Sequence, residues 1–377
     1  MNFGFDEEQI SLGETIAQML GDFPALTASD PAEARDASVW SALADLGLFS
    51  LLVPEAEGGV GLSLVDVALA VESLGGGLAP PSVVSTLIVT DLIVRFGTPA
   101  QKQAWLPRIA AGEARIALAV QEAGLGYDAA DITTTVGGNG VTGRKILVGD
   151  AAEADMFVVL ALVDGKPGLV VVDQNATGVA LRPHQDIDPS SGYCELILES
   201  AGLADIAIIG HKDATEAVAR LMDVGATLSA AMMMGIASRM LDTAVEYAKT
   251  RVQFGKPIGA FQAIKHRCAD MAVAIEAGRS AVYYAFWAVT EDAPDRSRAS
   301  SMAKAYCGDV GRQVCNEAIQ IHGGMGFTWE LGLHRFLRRN KVLEHGFGSQ
   351  IWHYERVIGE TIAARTAATA EHRRNAA

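Results

Sequence analysis

The spacing of apolar residues along the chain changes character twice and so marks three regions. Over residues 1–113, apolar positions recur every three or four residues, which is the pattern of amphipathic helices. Pro99 suits the first turn of one such helix, where its missing N–H would have no partner. An all-helical N-terminal domain is therefore predicted for residues 1–113. Its predicted helices cover 5–20, 40–49, 64–74 and 99–109.

Helical spacing disappears after residue 113. Short β-prone runs take its place, and turn-forming clusters at 137–140, 164–168 and 188–192 separate them. This alternation predicts a middle domain over residues 114–212, with a small antiparallel sheet folded as a barrel or a sandwich. The predicted strands cover 132–136, 145–148, 156–162, 169–172 and 195–198.

Long helical segments return in residues 213–377. The segments 215–249, 262–290 and 297–322 are each long enough to span a four-helix bundle. Three consecutive methionines at 232–234 are expected to fill its core. The predicted fold class is multi-domain α+β, with a helical domain, a β domain and a C-terminal four-helix bundle in that order.

Composition and charge exclude several classes of protein. The net charge of −15 argues against a nucleic-acid surface, because phosphate binding needs clustered lysine and arginine. The start MNFGFDEEQ lacks a basic segment followed by an apolar one, so no secretory signal is expected. Apolar runs such as 156–163 are too short to cross a bilayer. We expect neither a nucleic-acid partner nor a membrane partner.

The cysteines and histidines predict no metal site. No two cysteines form a CxxC pair, and the histidines of the C-terminal region lack metal-ligand spacing. Reduced, buried thiols in a cytoplasmic protein fit this pattern. The residues concerned are Cys194, Cys268, Cys307 and Cys315, and His322, His334, His345 and His353.

Four blocks of sequence carry motifs in a fixed order. They read LFSLLVPEAEGGVGLS (48–63), FGTPAQKQAWLPRIAAGE (96–113), YAKTRVQFGKPIGAFQAIKH (247–266) and QIHGGMGFTWE (320–330). In this order and spacing, they resemble the acyl-CoA dehydrogenase family over almost the whole chain. A lone glycine turn would carry little weight, whereas four ordered blocks are specific.

The resemblance implies a reaction, a cofactor and partners. In this family a carboxylate removes the α-proton of an acyl-CoA while the β-hydrogen passes as hydride to the flavin of FAD. An electron-transfer flavoprotein later reoxidises the flavin, and the FAD lies across a subunit interface. The expected cofactor is therefore FAD, the expected substrate an acyl-CoA, and the expected electron acceptor an electron-transfer flavoprotein.

The FAD contacts that a neighbouring subunit donates in this family are present here. Arg251, in the segment RVQF, matches the pyrophosphate arginine, and a guanidinium can bind phosphate through two hydrogen bonds. The glycine turn lets backbone approach the cofactor. Alternatively, Arg251 is a solvated helix-end cation and the glycines only end a helix. The matching residues are Arg251, Phe254, Gln320, Gly323, Gly324, Gly326 and Gln350.

The flavin contacts that the family takes from its own β domain match poorly. The family's first flavin block reads approximately T-E-x-x-x-G-S-D, whereas this chain has QEAGLGYD at 121–128. Gln121 replaces the threonine, and the bulky Tyr127 replaces the small serine. Gly126 and Asp128 keep the family residues.

The second flavin block has also changed. Where the family has K-x-W-I-T-N-G, this chain has KILVGDA at 145–151. Leu147 replaces the aromatic residue that packs on the flavin, and Gly149 replaces the threonine whose hydroxyl hydrogen-bonds it. Each loss costs roughly 0.5–1.5 kcal/mol, so together they weaken flavin binding by orders of magnitude.

Neither position that holds the catalytic base in this family carries a carboxylate. Counting from Gly323 without a gap places Phe347 at the usual glutamate position, and Phe cannot accept a proton. The alternative base position, on the first bundle helix, is Gly225. Ala226 replaces the arginine that normally follows. The chain's own catalytic base is therefore predicted to be missing.

Two nearby carboxylates are candidates for a replacement base. Glu344 lies three residues before Phe347, and a shift of the loop would swing it inward. Asp223 lies two residues before Gly225, but on a helix this offset turns it about 200° away. Solvated surface charges are the expectation favoured for both. His345, next to the former base position, is a further candidate for contact with substrate.

These departures resemble one subunit type of the heteromeric acyl-CoA dehydrogenases of actinobacterial steroid side-chain degradation. In those α2β2 assemblies only one subunit supplies the base, and GFTWE at 326–330 is also reminiscent of them. The leading hypothesis is a subunit that completes the FAD site of a catalytic partner. One rival is a homotetrameric dehydrogenase that uses Glu344 as its base. The other is a flavin-free scaffold or acyl-CoA-binding pseudoenzyme.

Overall fold

Helices make up the described part of the N-terminal region. The computed structural model describes residues 4–23, 38–124, 127, 131–138, 140–210 and 214–375, with side chains up to residue 366. Helix α1 begins with a capping box in which Asp6 accepts a hydrogen bond from the backbone N–H of Gln9 (2.8 Å) and the Gln9 side chain accepts one in return. The helices are α1 (Glu7–Gly21), α2 (Ser38–Asp45), α3 (Ala68–Gly76), α4 (Pro81–Phe96) and α5 (Pro99–Ala110).

Helix α4 has no counterpart among the predicted helices. Its sequence, PSVVSTLIVTDLIVRF, is rich in β-branched residues, and eleven of its residues are buried. It packs against α5, against the bundle and against the first strand of the sheet. A helix that is covered on every side has no polar face, so its sequence shows no helical spacing.

The middle region forms one eight-stranded sheet in the order β6-β7-β3-β2-β4-β5-β8, with β1 paired to β4. Strands β1 and β2 run parallel to β4, and the other pairs are antiparallel. The sheet is therefore mixed, where a purely antiparallel one was predicted. The reason is connectivity. The β2–β3 hairpin lies between β1 and β4 in the chain, and the chain returns to the sheet at β4 in the direction of β1. The strands are β1 (Ile116–Ala119), β2 (Thr135–Gly137), β3 (Gly140–Val148), β4 (Met156–Val163), β5 (Lys166–Asp173), β6 (Val179–Pro183), β7 (Cys194–Ala201) and β8 (Ile208–Ile209).

Four long helices form the C-terminal bundle, and the shorter α9 packs against two of them, α6 and α8. A two-stranded hairpin of β9 (Val252–Gln253) and β10 (Lys256–Pro257) joins the first long helix to the second. The predicted fold class is thereby confirmed. The domain limits at 113 and 212 stay predictions. The helices of this region are α6 (Ala214–Thr250), α7 (Gln262–Thr290), α8 (Arg296–His322), the shorter α9 (Leu333–His345) and α10 (Gln350–Asn375).

Buried ion pairs join the three regions. Arg220 on α6 donates two hydrogen bonds to Asp91 on α4, at 2.6 and 2.8 Å. Arg339 on α9 pairs with Asp188 of the middle region at 2.5 Å and donates to the carbonyl of Ala79 in the N-terminal region at 2.7 Å. Removing one partner of such a pair costs about 3–5 kcal/mol, because the other charge is left buried. These pairs fix the relative placement of the three regions.

Helix α6 is long and apolar enough to span a membrane by length and composition. Its most apolar window is 94% buried inside the protein, against α3, α7 and α8. The methionines at 232–234 are all buried there, as predicted. These properties describe the central helix of a bundle.

Candidate active site and cofactor contacts

A cavity of about 120 Å³ lies where the three regions meet. Its walls are mostly apolar, with hydroxyl and amide groups at a few points. Four residues of the two altered flavin blocks line it: Gln121, Tyr127, Leu147 and Gly149. Gly126 and Asp128, from the same blocks, lie outside the described residues. Other lining residues include Pro81, Ser85, Ile88, Tyr193, Ser229, Met232, Arg339, Leu343 and Phe347.

The two positions that hold the base in the family contact each other here. A methyl group at Gly225 would come within 2.6 Å of Cγ of the Phe347 ring. The ring therefore fills the space beside Gly225, and Phe347 rather than Gly225 forms the cavity wall. A glycine inside a helix costs about 1 kcal/mol relative to alanine, and the ring explains why α6 has one at this point. Neither side chain can accept or donate a proton.

Asp223 is fully buried, so its expected role as a solvated surface charge is wrong. Its carboxylate pairs with Arg296 at 3.1 Å and Arg356 at 2.8 Å, and it accepts a hydrogen bond from Ser297 at 2.8 Å. The pairing arginines come from α8 and α10. Asp223 is therefore part of the charged interior that holds the bundle together.

Glu344 is mostly buried and does not line the cavity. Its carboxylate accepts hydrogen bonds from Asn340 at 3.0 Å and from Lys341 at 2.9 Å. It is therefore not the solvated surface charge that was expected. A carboxylate with both oxygens engaged on its own helix would have to break these bonds to reach substrate.

Tyr127 bridges two walls of the cavity. Its hydroxyl donates to the backbone carbonyl of His345 at 2.8 Å, and its ring lies 5.8 Å from that of Trp352. His345 itself is exposed, and its carbonyl is the group that contacts the cavity wall. Burial raises the pKa of Tyr127, so the phenol stays protonated and able to donate. The family's serine would be too short to span this gap.

Close packing against α4 explains why position 149 is a glycine. A methyl group there would lie 2.7 Å from Cβ of Pro81, the first residue of α4. The neighbouring Asp150 accepts a hydrogen bond from the backbone N–H of Ser82 at 2.8 Å and so caps α4. A threonine at position 149 would displace this helix end.

Glu122 and Lys145, which match the family, form a structural ion pair. The Lys145 amine lies 2.6 Å from the Glu122 carboxylate, which also accepts hydrogen bonds from Thr133 and Thr134. Although burial opposes ionisation, the hydrogen bonds from Lys145 and Thr133 lower the pKa of Glu122 to about 2. The pair fixes the first flavin block to β3.

The residues matched to the neighbour's FAD contacts lie mostly at the surface. Arg251, Phe254 and Gln320 are exposed, and Phe254 exposes 92% of its surface. The ring of Tyr247, near the end of α6, stacks on His322 at 4.4 Å, and Gly323 follows His322. This stack places the hairpin that follows α6 beside the glycine turn that follows α8. Arg251 is exposed, and Gly323 is half-buried.

Gln350 differs from these surface residues and lies at the start of α10. It is half-buried, and its amide donates to the carbonyl of Ala305 and to the hydroxyl of Tyr354, both at 3.3 Å. Its assignment as an FAD contact stays a prediction.

Several residues of the site were missed by sequence reasoning. Arg339, Tyr193 and Pro81 line the cavity, and Lys304 lies behind its Phe347 wall. Arg339 and Lys304 occur in helical segments where charged residues normally face solvent, so no local sequence signal distinguishes them from exposed charges. Within the described residues, no cluster of three or more histidine, cysteine or acidic side chains could hold a metal.

The family's cofactor is FAD, and the residues matched to its two sets of contacts differ in this chain. The exposed arginine, glutamine and glycine turn could receive a pyrophosphate from an adjoining chain. In the chain's own cavity, Leu147 and Gly149 stand where the family has an aromatic residue and a threonine, and Tyr127 stands where it has a serine. The bound flavin would supply the hydride-accepting chemistry of the reaction.

A helical domain, a mixed sheet and a four-helix bundle around a common cavity define the fold of a flavin-dependent dehydrogenase. The chain belongs to the acyl-CoA dehydrogenase family, whose members are FAD-dependent oxidoreductases. Family models of the acyl-CoA dehydrogenase N-terminal and C-terminal domains match residues 6–113 and 215–362.

Individual relatives agree with this assignment. A probable acyl-CoA dehydrogenase of Bacillus subtilis is 32% identical over 375 residues, covering 93% of this chain and 96% of the relative. The ChsE4-ChsE5 complex of Mycobacterium tuberculosis contains a similar chain, with 26% identity, a TM-score of 0.85, and coverage of 96% and 99%. A variant of the Tcur3481-Tcur3483 steroid ACAD has 29% identity, a TM-score of 0.84, and the same coverage.

Proposed function

We propose that this chain is the base-deficient subunit of a heteromeric acyl-CoA dehydrogenase and completes the FAD site of a homologous catalytic subunit. The observation that carries the proposal is the contact between Phe347 and Gly225. Both family base positions are non-ionisable, and their side chains have complementary sizes. Neither of the two alternative base positions carries a carboxylate, and the Phe347 ring occupies the space that a side chain at position 225 would need.

The asymmetry between the two sets of flavin contacts supports the same proposal. The exposed set around Arg251 is intact, whereas the cavity set has lost its aromatic and its hydroxyl. Such a chain serves a flavin whose ring system rests in another subunit. The resemblance to chains of the ChsE4-ChsE5 complex and of the Tcur3481-Tcur3483 steroid ACAD supports a two-chain assembly.

The proposed assembly is α2β2, and the proposed reaction is the α,β-dehydrogenation of an acyl-CoA. The steroid ACAD among the similar structures supports a steroid side-chain thioester as substrate. An electron-transfer flavoprotein is the proposed electron acceptor. All four cysteines are free thiols, which supports a cytoplasmic setting.

The substitution Glu344→Gln tests whether the base belongs to the partner. In the assembled complex we expect turnover to stay nearly unchanged, since the Glu344 carboxylate is engaged by Asn340 and Lys341 on its own helix. A general base contributes about 10²–10⁴-fold to the rate. A loss of that size, with flavin content intact, would assign the base to Glu344 and favour the homotetrameric alternative.

A further inference from the structure

A buried lysine contacts the backbone on both sides of Phe347. Lys304 lies on α8 and exposes 2% of its surface. Its amine donates to the carbonyl of Glu344 at 2.9 Å and to the carbonyl of Gly348 at 3.3 Å. These two carbonyls bracket the short connection between α9 and α10 that carries Phe347.

This connection has a conformation that needs support. Phe347 has φ +57°, a left-handed value that a bulky side chain rarely adopts, and Gly348 has φ +113°. A methyl group at Gly348 would lie 2.6 Å from the Trp352 ring, so the connection is pressed onto α10. Strained backbone persists where the surrounding structure holds it in place.

Burying a lysine is unfavourable unless its charged amine is paired and hydrogen-bonded. Lys304 does not line the cavity, so it does not reach a bound substrate. Its contacts are the two carbonyls on either side of the strained residue. We infer that Lys304 is a positioning residue, which seats the Phe347 ring against Gly225 and thereby fixes this wall of the cavity.

The inference deepens the proposed function and rests on it, because it explains how an aromatic ring is held at the position where the family carries its base. Three titratable groups from the packed elements face Lys304: Glu344 on α9, Cys307 on α8 and His353 on α10. Burial lowers the pKa of His353 to about 3 and raises that of Cys307, so neither changes charge near neutral pH. Burial also lowers the pKa of Lys304 to about 7.

The first test is amide hydrogen exchange of the peptide covering residues 343–350 in the full-length protein, with Lys304→Met compared to the wild type. Loss of two hydrogen bonds from a cation should speed exchange about tenfold or more. Lys341→Met is the matched control, because Lys341 contacts the Glu344 side chain and not the two carbonyls. We expect the control to exchange within about twofold of the wild type. Unchanged exchange in Lys304→Met, or equal acceleration in both variants, would overturn the inference.

The second test uses the unmodified protein and so does not depend on a variant that folds. After correction for the intrinsic pH dependence of exchange, protection of residues 343–350 should rise between pH 7 and 8.5, because opening this connection exposes Lys304 to water and the opened state then binds more protons than the closed one. A flat corrected profile would contradict the inference. Flavin content, measured on the same samples together with the partner chain, tests the proposed function separately.

Discussion

The contact between Phe347 and Gly225 can be tested by the smallest possible substitution. Gly225→Ala adds a methyl group where the ring already stands, and overpacking of this kind costs about 1–3 kcal/mol. Helix propensity alone would predict a gain of about 1 kcal/mol. Chemical denaturation should therefore show a lower free energy of unfolding for the variant.

Gly359 on α10 is the matched control, because a methyl group there would meet no atom within 4 Å. Gly359→Ala should stabilise the protein by about 0.5–1 kcal/mol. Adding Phe347→Ala to Gly225→Ala should remove the clash and give a favourable coupling energy between the two sites. Additive effects of the two substitutions would show that the side chains do not touch.

At the scale of single residues, sequence motifs located the site and missed its contacts. The alignment placed Phe347 and Gly225 at the base positions, yet nothing in the sequence says that the two meet. Asp223 and Lys304 were hidden for a physical reason. A charged residue within a helical pattern is normally solvated, and only the packing of neighbouring helices against α6 and α8 buries these two.

At the scale of elements, the buried Lys304 makes stability depend on pH. Its pKa is about 7 in the folded protein and about 10.4 when unfolded, so the unfolded chain binds more protons between these values. Stability from this group therefore rises with pH above about 7, by up to about 1.4 kcal/mol per pH unit. The difference in unfolding free energy between the wild type and Lys304→Met should grow in favour of the wild type from pH 7 to 8.5.

Chemical denaturation of both proteins at several pH values measures this difference. The titration of buried cysteines and tyrosines cancels in it, because both proteins contain the same ones. A difference that does not change over this range would show that Lys304 keeps its ordinary pKa.

The elements themselves were predictable where their faces differ. Helices α6, α7 and α8 follow the predicted segments closely, since α7 and α8 alternate buried and exposed positions over many turns and α6 has exposed polar residues towards both ends. Helix α4 and strand β1 were missed because they are buried on all sides and show no alternation. The parallel pairing of β1 with β4 depends on the path of the chain, which periodicity does not encode.

At the scale of the whole molecule, Arg251 tests whether this chain reaches a flavin in its partner. Arg251→Ala removes a charged phosphate donor, which should raise the flavin dissociation constant of the complex about ten- to hundredfold. As a helix-end charge alone, Arg251 would contribute no more than about 0.3–1 kcal/mol to stability. Flavin absorbance after gel filtration, measured beside the thermal midpoint, separates the two roles.

Lys249→Ala is the control for this experiment. Lys249 is an exposed cation near the end of the same helix, and it pairs only with Glu246 among the contacts seen for it. It should leave flavin occupancy unchanged. Full occupancy in Arg251→Ala would mean that the contact across the interface is not made, and the pseudoenzyme alternative would then gain support.

Flavin stoichiometry distinguishes a chain that completes a flavin site in a partner from one that contains its own. The protein is expressed alone and then together with each acyl-CoA dehydrogenase homologue of the same genome, and bound flavin is counted per chain. If the chain only completes its partner's site, we expect little flavin in the chain alone and one flavin per pair of chains in the matching complex. A homo-oligomer with one tightly bound flavin per chain, fully bleached by acyl-CoA, would contradict it.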